Sequence, residues 1–518
     1  MGERLESWKE IAGYLGRDVR TAQRWAHARR LPVHRLPGGR RPRVFTSTSE
    51  IDRWLRADTD VPAAAGITVA VLPFLNLSGD AEGRYFGDGL ADDIIDALVR
   101  MPGLRVIART SSFAFSDRGR DVHEIGASLG AAWLIEGSIR RDRNRVRVAA
   151  QLVNAADGFH VWSERFDRQL TDIFEIQADI SRAIASALRL TLAIGGPAAR
   201  PPASLAAYDL WVKGRSISQH FTPQALVQAR ACYEAAIAID PAFAKPYFGL
   251  ADLLFSGVQF GLTPPDVLPT IHAAINRSLD LDDSCPEAHS LQGVIRGLLD
   301  YDWAGAESSF RRALELGPGS STVLIQHAWY HLVPRMRIGE AIEAAQQAVA
   351  LDPLSPHARG QLGLVWLTAR QYGRAVEECR AAVELAPRRW WTHWFYGTAL
   401  LLHGRVREGI KESRRLYDEI HHPAVVGAMA LIYGLFGRKS QAKRLLAELE
   451  AMARTTDLPP IAFAMAYIGL GDARMFDWLA RAIDARDPVV THLPSMPLYD
   501  GIRDDPRFKA LLVRMNLA

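Results

Sequence analysis

Ile67-Thr68-Val69-Ala70-Val71-Leu72-Pro73-Phe74 is a run of apolar and β-branched residues that stops at a proline, which has no N–H to give a strand ladder. It reads as a buried strand. Downstream, after a turn-like stretch from Asn76 to Gly83, Asp88 is placed to cap a helix. Leu90, Ile94, Leu98 and Met101 recur there at helical spacing until Pro102-Gly103 ends it. A second strand is expected from Leu104 to Ala108. Strand, helix, strand in so short a span implies a crossover, so the two strands should be parallel. Val122, Ile125 and Leu129 mark a second helix. Three further strands, 133–140, 146–153 and 160–166, are separated by Asp142-Arg143-Asn144 and Ala156-Asp157-Gly158, and should form an antiparallel meander. Ile176, Ile180, Ile184 and Leu188 predict a long closing helix. The sum is one α/β domain with a mixed sheet over residues 67–194.

The residues around that strand also carry a resemblance. Val71-Leu72-Pro73-Phe74, Asn76, Ser78-Gly79-Asp80, Tyr85-Phe86, Asp88-Gly89-Leu90, Ala108-Arg109-Thr110-Ser111-Ser112, Ile135-Glu136-Gly137-Ser138 and Trp162-Ser163-Glu164-Arg165 resemble, in order, the TolB-like N-terminal α/β module. In bacteria such modules stand between a DNA-binding or signalling domain and tetratricopeptide repeats, including in proteins fused to adenylyl cyclase domains. The resemblance implies a sensor or relay.

The 518 residues allow three or four domains, and a hydrophobic content of 48% is that of packed globular protein. Three scattered cysteines, Cys232, Cys285 and Cys379, argue against a disulfide scaffold or a zinc ribbon and suit a reducing cytoplasm. A secretory leader is not read at Met1-Gly2-Glu3-Arg4. No apolar run is long enough to span a bilayer, and Ala424–Phe436 reads as a buried core helix.

Charge is segregated. Residues 1–56 hold 13 Lys and Arg against 6 Asp and Glu, a net +7 in a chain whose total is +4, so the remainder is slightly acidic. No acidic residue occurs between Val19 and Ser49. Such a block favours a polyanion as the partner of this first domain. Ser7-Trp8-Lys9-Glu10 and Ser47-Thr48-Ser49-Glu50 are capping boxes. Asp18 can cap a helix from Val19 to about Arg29, with Val19, Ala22, Trp25 and Ala26 inward and Arg20, Gln23, Arg24 and His27 outward, the layout of a major-groove recognition helix. The strands Val33-His34-Arg35-Leu36 and Arg43-Val44-Phe45 flank Pro37-Gly38-Gly39-Arg40 as a two-stranded wing, with Arg40 and Arg41 near its tip. Ile51, Trp54 and Leu55 belong to a third helix. Trp8-Lys9-Glu10-Ile11-Ala12, Leu15-Gly16, Arg20-Thr21, Gln23-Arg24-Trp25, Leu31-Pro32-Val33-His34-Arg35 and Gly38-Gly39 resemble the winged helix–turn–helix of the MerR and excisionase type. The DNA-contacting residues expected are Arg20, Thr21, Gln23, Arg24, His27, Arg35, Arg40 and Arg41. A small arginine-surfaced module that docks protein is the alternative.

Residues 57–66 and 195–204 read as linkers. From 205 to 518 a pattern returns: Ala229, Tyr233, Ala236 and Pro241; Ala306, Phe310, Ala313 and Pro318; Ala341, Ala345, Ala348 and Pro353; Ala375, Cys379, Ala382 and Pro387. The later prolines recur at about the 34-residue tetratricopeptide period. Thr263-Pro264-Pro265 marks an insertion, and Asp504-Asp505-Pro506-Arg507-Phe508 introduces a terminal capping helix. Each repeat is expected to pack only on its neighbours and to offer a concave surface to a peptide or protein.

Walker, dinucleotide, nucleophile-elbow and His-Glu-x-x-His motifs are absent from the sequence, so no catalytic residue, cofactor or metal is assigned. Asp88, Asp92, Asp93 and Asp96 either hold Mg²⁺ or act as helix-dipole partners on a solvated surface. His327 and His331, one turn apart, and His421-His422 are read as structural. Arg109, Thr110, Ser111 and Ser112, at the carboxyl end of a parallel strand, can take a small anion or close onto their own backbone. The expectation is a cytoplasmic transcriptional regulator, not an enzyme: a DNA reader, an α/β relay open to a small-molecule effector, and a partner-binding arm, an organisation compatible with a homodimer. The rivals are a scaffold that binds no DNA and a sensor enzyme using the α/β domain.

Overall fold

The computed structural model describes residues 67–78, 81–99, 101, 104–115, 121–142, 145–169, 183, 204–218, 222–259, 262–263, 265–419 and 422–518, together with 4–5, 7–8, 10, 34–36 and 43–47. The chain divides into two units, Met1–Gly66 and Ile67–Ala518.

In the first unit, β2 (His34–Leu36) and β3 (Arg43–Ser47) pair antiparallel where the sequence places the two strands of a wing, with Arg35 opposite Val44. The sequence reading missed β1 (Arg4–Leu5), which pairs with the other edge of β3. Ser7 caps as its box predicts: its Oγ accepts from Glu10 N–H at 3.2 Å and donates to the Glu10 carboxylate at 3.1 Å. The recognition helix over 19–29 and the third helix lie outside the described residues.

In the second unit, β4 (Ile67–Val71) lies between β6 (Leu104–Val106) and β7 (Trp133–Asp142), parallel to both. β8 (Arg145–Asn154) and β9 (His160–Gln169) extend the sheet as the expected meander, in the order β6-β4-β7-β8-β9. The period of two sends Val69 and Val71 into a core with Leu90, Ile94 and Leu98. Ala70 and Leu72 go to the opposite face, with Ile125 and Leu129. Helix α1 (Ala81–Val99) therefore covers one face, whereas α2 (Arg109–Phe113) and α3 (Val122–Leu129) follow β6, α3 covering the other. Burying a leucine or isoleucine as fully as those on α1 contributes about 1.5–3 kcal/mol each.

Two expectations are corrected. Asp88 does not cap the first helix, which begins at Ala81, so Asp88 lies within it. Gly87 makes that run possible: a Cβ there would sit 2.8 Å from the Phe74 carbonyl oxygen, so only glycine lets the helix pass the end of β4. The strand after the crossover is also shorter than expected. It ends at Val106; Ile107 N–H still donates to Val69 O at 2.8 Å, and Ala108 N–H then turns away to donate to Leu351 O at 2.9 Å, far along the chain. The predicted closing helix over 176–188 lies outside the described residues, apart from Ala183.

Beyond Pro73 the chain returns to the sheet as β5 (Leu75–Asn76), parallel to β7 at Ser138 and Ile139. Phe74 packs over Gly137, where a Cβ would come within 2.2 Å of the ring. In a sheet whose central strand is flanked by its two successors, the crevice between β4 and β7 is the usual ligand position. Here Phe74 and β5 fill it.

The helical array follows as antiparallel hairpins. They are α4 (Leu205–Ser218) with α5 (Pro223–Ile239), α6 (Ala244–Gln259) with α7 (Leu268–Leu281), α8 (Pro286–Leu298) with α9 (Trp303–Leu316), and α10 (Ser321–His327) with α11 (Ile338–Leu351). Next come α12 (Pro356–Thr368) with α13 (Tyr372–Leu385), α14 (Trp390–Leu402) with α15 (Val406–Glu419), α16 (Pro423–Leu435) with α17 (Lys439–Met452), and α18 (Pro460–Leu470) with α19 (Met475–Asp484). First helices starting at 286, 321, 356 and 390 give the tetratricopeptide-like spacing. Second helices are amphipathic, with Ala375, Cys379 and Ala382 inward on α13. First helices such as α12, α16 and α18 are buried almost all round.

The expectation that each repeat touches only its neighbours is not met. The C-terminal stretch, with two 3₁₀ turns (Pro488–His492 and Pro497–Ile502) and α20 (Pro506–Arg514), runs back along the loops that join the helices within successive hairpins. Trp303 Nε1 donates to Met515 O at 2.8 Å, Tyr301 to Ile483 O at 3.3 Å, and Arg370 forms a two-pronged pair with Asp500 at 2.7 and 3.0 Å. His492 stacks on Trp329, 4.4 Å between ring centres, and meets its carbonyl oxygen at 3.0 Å. Trp329 lies in a π-helical turn, Ala328–Leu332, that continues α10.

Candidate functional site

The side chains singled out in the sequence of the α/β module converge on one seam, where the module lies against the loops between hairpins. Asp92 on α1 is 2% exposed and sits between two cations, Arg109 Nε at 2.7 Å and Arg215 on α4 at 3.1 Å. Burial raises the Asp92 pKa, against the pull of Arg215 and Arg109, and burial lowers that of Arg109. One turn on, Lys245 at the start of α6 reaches Asp93 at 2.6 Å and Asp96 at 3.0 Å, and Tyr208 donates to Asp93 at 2.7 Å. Lys245 also lies 4.8 Å from the centre of the Trp211 ring. The aspartates are therefore neither a solvated surface nor a cluster turned outward: cations of the array and of α2 neutralise them. Among the described residues, no group of three or more His, Cys, Asp or Glu side chains gathers as a metal site.

The Arg109–Ser112 stretch forms α2, and its serine does bind an anion, one belonging to this chain. Ser111 N–H donates to Asp352 Oδ1 at 3.1 Å and its hydroxyl donates to the same oxygen at 2.5 Å, while Leu354 N–H donates to Ser111 Oγ at 2.8 Å. Thr110 adds a further hydrogen bond to the Asp352 carboxylate. Ser112 Oγ faces Ile107 O at 3.4 Å, so it closes on its own backbone, and Arg109 is taken by Asp92, with its guanidinium 4.2 Å from the Phe113 ring centre. Burial pushes the Asp352 carboxyl up to about 6 despite the bonds from Ser111, Ser355 and Thr110. Asp352-Pro353 is the loop between α11 and α12. Asp282 and Cys285, in the loop before α8, and Pro286, its first residue, face Asp96 and Val99 of α1 across a cavity of about 30 Å³, and Gly319, before α10, faces Leu104 O. The α/β module thus spans several successive inter-hairpin loops. Sequence reasoning found Ser111 and the aspartates but missed Asp352, Lys245, Arg215 and Tyr208, whose partners lie more than a hundred residues away. The one signal was the Asp-Pro closing a repeat.

His327 and His331 stack nearly parallel, 5.5 Å apart, against Phe310, with His331 Nε2 2.7 Å from Glu307. Burial brings the His327 pKa down to about 4, and the pair packs as structural residues. His422 caps α16, its Nδ1 accepting from Ala424 N–H at 3.3 Å; His421 lies outside the described residues. A polar hollow of about 630 Å³ along the array is bounded by Asp302, Trp303, Arg335 and Asn516. No described helix is long and apolar enough to cross a membrane. Of the residues assigned to DNA contact, Arg35 has a described backbone, on β2; Arg20, Thr21, Gln23, Arg24, His27, Arg40 and Arg41 lie outside the described residues.

No protein-family model matches the chain. It is 37% identical over 227 residues to "Putative adenylate cyclase 3" of Rhizobium meliloti, covering 43% of this chain and 39% of that protein. It is 22% identical over 237 residues to the transcriptional regulator HilA of Salmonella typhimurium, covering 45% and 42%. The chain thus spans about two fifths of the length of these relatives. Among solved structures, pilF of Pseudomonas aeruginosa aligns with 42% of this chain at 16% identity and a TM-score of 0.31. A tetratricopeptide protein of Thermus thermophilus aligns with 36% at 17% identity and 0.31.

Proposed function

We propose that the protein is a transcriptional regulator that binds DNA through residues 1–56, uses the α/β module as a relay and binds a protein partner on the helical array. The observation that carries this reading is charge segregation: a net +7 within 56 residues, beside a slightly acidic remainder. Local similarity to a transcriptional regulator supports it. The chemistry of the seam favours a relay over an enzyme, because its carboxylates and cations are already paired with each other. The test is retention of the full chain on duplex DNA at rising salt. Affinity should fall steeply with salt and be lost when residues 1–56 are deleted; retention that survives the deletion would overturn the reading.

A second reading, a ligand-responsive enzyme built on the α/β module, is favoured by the local identity to the cyclase-named protein. Titration of residues 67–518 with nucleoside triphosphate and Mg²⁺ separates the two, since turnover would favour the second reading and its absence the first.

A further inference from the structure

Glu164-Arg165-Phe166-Asp167-Arg168 lies in the second half of β9, which among the described residues has a strand neighbour on one side only, β8. In the register of that pairing, Glu164 lies opposite Ala150, Arg165 opposite Ala149 and Arg168 opposite Val146. The fourth, Asp167, lies opposite Arg147 and is held by Arg145 and Arg147. Glu164 and Arg165 are exposed, whereas Phe166 is 5% exposed and rooted in the core. A long edge strand presents unpaired backbone N–H and C=O groups and invites a further strand.

The order of charges along this strand is its own complement. Let a second β9 run antiparallel to the first about a twofold axis at Phe166. Glu164 then faces Arg168 of the other copy, Arg165 faces Asp167, and Ser163 faces Gln169, each pair occurring twice. A twofold perpendicular to the sheet keeps each face continuous, so these partners share a face. Sliding the register by two residues in either direction puts Arg165 against Arg165 or Asp167 against Asp167. Like charges directly opposite are destabilising, so the strand selects one register and penalises its neighbours. Asp167 already accepts two hydrogen bonds from Arg145 and two from Arg147, so the attraction across the twofold rests on the two Glu164–Arg168 pairs.

We propose that β9 is a dimerisation edge, that its partner is a second copy of this chain, and that the two sheets join into one continuous sheet about Phe166. If residues 1–56 bind DNA, the twofold would present two readers at once, as half-site recognition requires. That consequence rests on the proposed function; the dimer does not.

The experiment is sedimentation equilibrium of the full chain, without DNA, across nanomolar to high micromolar concentrations. The intact chain should dimerise reversibly. Glu164→Arg sets arginine against Arg168 twice per dimer and should raise the dissociation constant about tenfold or more. Adding Arg168→Glu to that variant should restore it to within a few fold. Arg168→Glu alone, which sets glutamate against Glu164 of the other copy, should weaken the dimer as Glu164→Arg does, and it serves if that variant fails to fold. A chain that stays monomeric throughout, a dimer indifferent to Glu164→Arg and Arg168→Glu, or a charge swap that stays as weak as the single changes would each overturn the proposal. DNA retention unaffected by any of these variants would leave the dimer standing and bear only on the reader.

Discussion

Replacing Asp352 by asparagine changes one charge at the point where the α/β module meets the array. The aspartate is 5% exposed, and burial holds its carboxyl at about 6 against an ordinary value of 3.8. A raised acid pKa means that the folded state takes up the proton first. Its contribution to stability is complete below pH 3.8 and is lost as the pH rises through about 6. The shift of about two units, at 1.36 kcal/mol per unit, amounts to roughly 3 kcal/mol between pH 4 and pH 7. Asparagine keeps a carbonyl oxygen to accept from Ser111 N–H and Oγ but cannot ionise. Its stability relative to wild type should therefore improve as the pH rises from 4 to 7. Alanine at the same position leaves both Ser111 donors without their acceptor and should cost about 1–3 kcal/mol relative to Asp352→Asn at every pH. Thermal melts of the three proteins between pH 4.5 and 7.5 supply the comparison, and using differences between variants cancels the titration of every other group. If wild type and Asp352→Asn keep a constant offset across that range, the seam carboxylate does not titrate as argued.

Other outcomes can be checked in parallel. Asp92→Ala strands Arg109 and Arg215 in a buried site and should lower stability by about 3–5 kcal/mol, measured as a fall in melting temperature. Burial holds His492 down to about 4, so the stability it contributes is present above its ordinary value of 6.5 and lost as the pH falls through 4. His492→Gln should consequently flatten the acid limb of the melting profile, by up to roughly 3 kcal/mol. Arg24→Ala should weaken a preferred DNA site by about 1–3 kcal/mol while leaving the protein folded, read from binding isotherms on specific and random duplexes. Replacing Arg40 and Arg41 should reduce the slope of log affinity against log salt by about one for each phosphate that is no longer neutralised.

Much of the architecture is local, and locality is what made it legible. The β-branched run at 67–72 and the alternation of Val146, Val148 and Ala150 are set by residues a few positions apart, as is the alanine–proline spacing of the repeats. These fix strand and helix identity before any long-range contact exists. The seam is of another kind. Nothing near Ser111 names Asp352, and nothing near Asp93 names Lys245, because both pairs exist only after the array has curled along the module. The start of α1 was misplaced for a related reason. The stretch up to Gly83 reads as a turn and Asp88 as a cap, yet Gly87 between them is a packing residue whose missing Cβ admits the Phe74 carbonyl. The self-complementary charges of β9 were in plain view, but only the sheet order shows that, among the described residues, this strand stands at an edge.

The C-terminal stretch also changes how the array should respond to force. A solenoid whose repeats touch only their neighbours behaves as a spring: it stretches by small changes at each joint and unravels from its ends. Here Tyr301, Trp303, Trp329 and Arg370, on three successive hairpins, are tied to residues between 483 and 515, while the inter-hairpin loops on the other side are held by the α/β module. Pinned along two borders, those hairpins form a plate. Pulled from its ends, it should stay at nearly constant length and then yield in one large step, in place of a series of small ones.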